Sequence, residues 1–160
     1  MRPFDDYIAV ILQHEGGYVN NPSDPGGETN YGISHNSYPG LDIKNLTVED
    51  AKSIYYNDYW VKMNLDELSI DLLKLHLFDM GVNAGIKVAI KLLQKTLGIA
   101  QDGIVGSDTA SFSNQFQGDI VQSYIEARKN YYEYIVKVHP NESIFLNGWI
   151  NRITNTNFLN

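Results

Sequence analysis

Residues 69–81, SIDLLKLHLFDMG, present apolar side chains on nearly every side of the helix that their pattern describes. A helix with no polar face cannot lie on a surface, so this one has to run through the middle of a domain with other elements packed around it. Asp79 is the oddity within it. A carboxylate buried there costs on the order of several kcal/mol unless it is hydrogen-bonded, so Asp79 either braces the structure or reaches a ligand.

The segments available to surround this helix are themselves helical. Phe4, Tyr7, Ile8, Ile11 and Leu12 recur at three- and four-residue steps, predicting a helix over 3–15 that Gly16 and Gly17 stop. Thr47-Val48-Glu49-Asp50 has the T-x-x-D form of a capping box and opens a helix carrying Ala51, Ile54, Tyr55 and Tyr59, ending near Trp60. IKVAIKLLQKTLG predicts a further helix ending at Gly98, and IAQDGIVGSDT a glycine-punctuated turn into a short helix capped by Ser107. The longest clean pattern runs from Val121 through Tyr124, Ile125, Arg128, Tyr131, Tyr132 and Ile135 to Val138, and Pro140 stops it. A last helix spans 143–155 around Trp149. The expected class is mainly α, with a short β-hairpin-like loop region near residues 18–34.

That loop region, HEGGYVNNPSDPGGETNYGIS, is dense in Gly, Pro, Asn and Ser, and only short β-like pieces such as YGIS fit within it. A loop this long inside a compact domain is usually functional. Glu15 stands where the first helix meets it, in register with Ile8 and Ile11, so its carboxyl is expected along the buried stripe, where burial raises its pKa. A carboxylic acid still protonated near neutrality is what a general acid needs, and glycosidases obtain one by partly burying a Glu. A solvated helix-end Glu is the bland alternative. Asp24 and Glu28 follow within the loop, with Thr29 beside them, and two carboxylates flanking a cleft is the glycosidase arrangement. Asp24 equally suits a turn residue in S-D-P-G.

Composition narrows the partners. The 160 residues carry 43% hydrophobic and 19% charged side chains, a globular balance. The formal net charge of −7 opposes binding to nucleic acid and to anionic lipid. There is no Cys, and His14, His35, His76 and His139 are scattered, so no metal or other cofactor is expected and a Ser or Cys triad finds no support. Asp5 and Asp6 stand where a signal peptide needs a basic n-region, and the apolar run is too short to span a bilayer, so the chain is expected to be made in the cytoplasm without a Sec signal and without stable membrane insertion.

The run from His14 to Ser34 resembles the signature of glycoside hydrolase family 108, the phage endolysin and secretion-activator muramidases. IYYNDYW (54–60), LFDMGVNAG (77–85), LLQKTLGIAQDGIVGSDT (92–109) and GWINRI (148–153) resemble the family's later blocks, so the likeness covers nearly the whole chain. It implies a lysozyme-like helical hydrolase that cuts the β-1,4 bond between N-acetylmuramic acid and N-acetylglucosamine. It also implies a catalytic region over 1–90 and a predicted peptidoglycan-binding helical region over 91–160, packed as one unit. Its partners would be glycan strands of the wall, reached through a holin or a secretion system. The family's catalytic Glu falls on Glu15. The order Glu, Asp nine later and Thr five after that also resembles the phage T4-type lysozymes, which gives Asp24 and Thr29 the task of holding the attacking water. The chain departs from the family block at Glu28, in place of a small residue, and at His35, in place of Gln, so Glu28 rivals Asp24 as second carboxylate. Tyr31, Asp79, Asn83 and Glu28 are the expected substrate contacts; Tyr18, Tyr59 and Trp60 suit stacking or core. A lytic transglycosylase and a non-catalytic wall-binding or secretion-associated protein are the alternatives.

Overall fold

The computed structural model describes residues 2–20 and 27–158. Asp24 therefore lies outside the described residues. Among these, seven α-helices enclose one core: α1 (Phe4–Glu15), α2 (Val48–Tyr55), α3 (Asp71–Ala84), α4 (Ile86–Leu97), α5 (Ser107–Asn114), α6 (Ile120–Val138) and α7 (Ser143–Asn155). Three short strands, β1 (Val19–Asn20), β2 (Glu28–Asn30) and β3 (Ile33–Ser34), form an antiparallel sheet in that order. The fold is mainly α and lysozyme-like.

The central position expected for the all-apolar helix is the one α3 occupies. It is buried continuously from Leu73 to Gly81 and packs against α4, α6 and the turn after α2. Around its Phe78 gathers an aromatic group: Phe4 at 6.0 Å, Trp60 at 5.6 Å and Tyr55 at 6.4 Å between ring centroids. These edge and tilted contacts fix α1 and α2 to the same side of α3. No helix among the described residues is long and apolar enough to cross a membrane.

Two local features differ from the sequence pattern. Thr47 does form the reciprocal capping box with Asp50, but α2 does not run on as α-helix to Trp60; it passes into a π-helical turn, Tyr56–Val61. The Ser53 carbonyl there receives both the Tyr56 N–H and the Asn57 side-chain amide at 2.8 Å, and a carbonyl so occupied lets the ladder slip to wider spacing. Ser107 is the first helical residue of α5 and caps nothing; Gly106 holds the N-cap position without a side-chain bond. The preceding loop is held from below, by the Gln94 amide donating to Asp102 Oδ1 at 2.6 Å and the Ile104 carbonyl at 3.0 Å.

Lys74 on α3 is fully buried, and its Nζ has no hydrogen-bond partner among the described residues. An unpaired cation in a core carries a desolvation cost with nothing to offset it. Lys74→Met, which keeps the length and removes the charge, is expected to raise stability by about 1–3 kcal/mol. Chemical denaturation of the two proteins measures this, and a destabilised variant would mean that the ammonium has a stabilising role.

Candidate active site

The two-residue turn between β2 and β3 decides where the loop lies. Tyr31 and Gly32 both have positive φ, 52° and 77°, the pattern of the tight turns that match the twist of a hairpin. The turn carries the backbone onto the end of α1. A Cβ at Gly32 would stand 2.5 Å from Glu15 Oε2 and 2.7 Å from Tyr55 Oη, so only glycine permits this approach. The Tyr55 hydroxyl in turn donates to the Tyr31 carbonyl at 2.9 Å, locking hairpin to α2.

Glu15 is half-buried there, with 18% of its side chain exposed, and its direct polar partner is a cation rather than the expected apolar surround. Arg152 Nη2, from α7, donates to Glu15 Oε1 at 2.7 Å, and Arg152 Nε donates to Asp79 Oδ1 at 2.8 Å. Asp79 Oδ2 accepts from Arg128 Nη2 at 2.5 Å and from Thr156 Oγ1 at 3.3 Å. Two acids and two arginines thus form a chain from α1 through α7 and α3 to α6, neutral when all four are ionised. Burial pushes the Asp79 carboxyl up, but Arg128 and Arg152 outweigh it and hold the carboxyl below its ordinary value. Burial works against the Arg152 charge, and Asp79 and Glu15 more than restore it. Asp79 has no exposed surface and both oxygens are taken by protein, so its part is to hold Arg152.

A cleft of about 780 Å³ is lined by Gly32 and Tyr55, the two residues that converge on Glu15, while Glu15 itself does not line it. One wall is the hairpin at Gly32–Ser34 with Tyr38, another is α2 and its π-turn at Tyr55, Asp58, Tyr59 and Lys62, and the third is the α3–α4 junction, 84–88. The widened turn is what brings Asp58 and Tyr59 to the cleft, and Asp58 there accepts from Tyr38 Oη at 2.8 Å and Lys62 Nζ at 2.5 Å. The phenols of Tyr55 and Tyr59 are pushed up by burial first and then by the charge of Glu15.

The other sequence candidates divide by the pleat of β2. Thr29 pairs across to Ser34, which lines the cleft, so the two share a face. Glu28 points to the opposite face with Asn30, and its Oε1 accepts from Tyr18 Oη at 2.7 Å. Asn30 is buried and its amide donates to the carbonyls of Ile43 at 3.1 Å and Leu46 at 3.4 Å, anchoring the sheet. Tyr31 sits in the turn, partly exposed. Asn83 donates to the Tyr132 hydroxyl near the end of α3. Trp60 is core, its Nε1 donating to Asp66 at 3.1 Å. Arg152 and Arg128 are the members of this charge chain that sequence reasoning missed; Arg128 had a signal, a cation in the middle of an otherwise apolar stripe.

Residues 8–85 match the family Glycosyl hydrolase 108, and residues 88–154 match Predicted Peptidoglycan domain. Among solved structures, that of Brucella abortus SagA is similar at a TM-score of 0.81 and 30% identity, over 96% of this chain and 90% of that one. The chain belongs to glycosyl hydrolase family 108. No curated protein matches it. As a family 108 member it is a glycoside hydrolase with peptidoglycan as substrate, and it acts on the cell wall. The two family matches meet at the α3–α4 junction, which is a wall of the cleft.

His76, next to the charge chain, gives the site an acid sensitivity. Arg128 Nη1 lies 2.8 Å from His76 Nδ1, and since arginine can only donate, the ring accepts there and is neutral. Burial, and then the Arg128 charge, push the imidazole from 6.5 down to about 3. Between those values the unfolded chain binds the extra proton, so this stabilisation is complete above the unfolded value and is lost as pH falls toward the folded one. Stability is expected to fall on acidification through this window with a slope of up to about 1.4 kcal/mol per pH unit. His76→Asn, which keeps an acceptor for Arg128, should flatten that slope; equal slopes in denaturation series of the two proteins would acquit the imidazole.

Proposed function

We propose that this family 108 protein is an N-acetylmuramidase cutting the β-1,4 bond between N-acetylmuramic acid and N-acetylglucosamine, with Glu15 as general acid and inversion at the anomeric carbon. The observation that carries the reading is a half-buried carboxyl held by Arg152 and covered by the Tyr31–Gly32 turn, whose Gly32 also lines a large cleft. Glu15 delivers its proton to the glycosidic oxygen as the bond breaks. The carboxylate left behind finds a guanidinium already in place, so no group has to move to meet the new charge.

Water attacks from the other face of the sugar, held by Asp24 with Thr29. Support for Thr29 comes from its cross-strand pairing with Ser34, a residue that lines the cleft, and the pairing of Glu28 with Tyr18 on the other face favours Asp24 over Glu28. Tyr31, at the mouth of the turn, meets the substrate. In this scheme residues 1–90 carry the chemistry and 91–160 add affinity for the wall, while Arg152 ties the second part to the first. A holin pore or a secretion system brings the enzyme to its substrate.

Glu15→Gln keeps the shape and the hydrogen bond to Arg152 but removes the proton, and is expected to lower kcat by about 10²- to 10⁴-fold. Wild-type clearance of peptidoglycan by that variant would exclude Glu15 as the acid. An inverting enzyme releases the α-anomer first; NMR of a freshly cut oligosaccharide that showed β-anomer first, or a 1,6-anhydro end, would replace water attack by retention or by transglycosylation. Asp24→Asn should lower turnover far more than Glu28→Gln. The reverse ranking would move the second role to Glu28.

A further inference from the structure

A second groove, of about 380 Å³, runs between α4 and α6 and shares no lining residue with the catalytic cleft. Leu92 and Ala127 give it apolar surface, and Lys95, Asn130, Tyr131 and Tyr134 surround them. The side-chain polar atoms of these last four have no hydrogen-bond or ionic partner among the described residues. The other tyrosines of α6 differ: Tyr124 Oη donates to the Ala89 carbonyl at 3.0 Å, and Tyr132 Oη accepts from Asn83. The tyrosine hydroxyls of α6 that face the core are satisfied, as is that of Thr96 in the groove, which donates to the Leu92 carbonyl at 2.9 Å; those of Tyr131 and Tyr134 find no partner among the described residues. Tyr134 is 62% exposed, a large ring offered to solvent.

Aromatic faces, small apolar patches and unused amide, hydroxyl and ammonium groups together suit an amphipathic ligand that is neither a hydrocarbon nor a strong polyanion. An apolar protein segment would leave the four polar groups without partners on burial. Nucleic acid would need many cations, whereas the chain is at −7 and this groove holds one lysine. An N-acetylated amino sugar meets each group: its C–H face lies against a tyrosine ring, its acetamido methyl against Leu92 and Ala127, and its amide and hydroxyls bond Asn130 and the phenols. All seven lining residues, Thr96 included, fall within 88–154, the part that matches Predicted Peptidoglycan domain. We propose that the α4–α6 groove is a second, non-catalytic glycan site that takes an amino sugar of the peptidoglycan strand and keeps the enzyme on insoluble wall.

The proposal depends on peptidoglycan as ligand and not on the chemistry of Glu15. Its test places Tyr134→Ala with Asn130→Ala in the full chain carrying Glu15→Gln, and measures sedimentation with insoluble peptidoglycan in the cold, both intact and stripped of stem peptides. Binding to both preparations is expected to weaken about tenfold, and Tyr134→Phe, which keeps the ring, should retain most of it. With Glu15 intact, turnover of a short soluble oligosaccharide that fills only the cleft should be unchanged by the double substitution. Unaltered sedimentation would overturn the proposal, as would a loss confined to stem-bearing wall or an equal loss on the soluble substrate. Cleavage by the Glu15→Gln chain would count against the acid alone, because bound fractions in the cold remain comparable, so the two assignments fail separately.

Discussion

The bridge that Arg152 makes between Glu15 and Asp79 is the interaction on which the rest of the structure depends. A carboxylate with no exposed surface, as at Asp79, is tolerable only if its charge is matched and its lone pairs are filled. Arg128 from α6, and Arg152 with the C-cap Thr156 from the end of α7, do both. Removing one partner of such a pair typically costs about 3–5 kcal/mol, because the other charge stays behind uncompensated. The cluster therefore fixes α1, α3, α6 and α7 to one another more specifically than apolar packing can, since apolar surfaces tolerate sliding and a fork of N–H groups does not.

That bridge also changes what the division into two family matches means physically. The acid lies in the first match and its cation in the second, 137 residues further along the chain. On the proposed reading, the N-terminal part therefore does not contain a complete active site. Its Glu15 would lack the group that fixes its orientation, and Asp79 would be a buried charge with neither arginine. The C-terminal helices thus position the carboxyl as well as surrounding α3.

Most of the fold was legible because helical periodicity is a local property. The pattern of α3 required a central helix, the T-x-x-D box marked the start of α2, and the boundaries of α7 follow directly from its sequence. The hairpin region and the helix end that meets it were legible for a similar reason, since Glu15, Tyr31 and Gly32 lie within one short stretch, and the role proposed for Glu15 rests on that placement. Arg152 was not, because a single arginine in an amphipathic helix reads as a solvated side chain until the fold brings a carboxylate to it. Arg128 sat in plain view on an apolar stripe, yet its partners His76 and Asp79 are distant in sequence. The π-turn was hidden for another reason: a four-residue spacing such as Tyr55 to Tyr59 fits an α-helix equally well, and the slip depends on where one side-chain amide, that of Asn57, chooses to bond.

The hairpin shows how a weak element acquires a fixed place. Its strands are two or three residues long, too short to be stable alone. Asn30 anchors β2 from beneath through two backbone carbonyls, Tyr55 holds the Tyr31 carbonyl from the side, and Gly32 rests on Glu15. Tyr31 bears an uncommon backbone conformation for a residue with a side chain, at a cost of order 1–3 kcal/mol that the surrounding contacts must offset. What that strain secures is the absence of a Cβ where the carboxyl lies. A turn of ordinary handedness would splay the strands and draw the glycine away from Glu15, leaving the acid open to bulk water. The positive φ at Tyr31 and Gly32, the hydroxyl of Tyr55 and the fork of Arg152 therefore act on one object from different directions, and together they hold a flexible three-bond side chain in a single orientation behind the turn that walls the cleft.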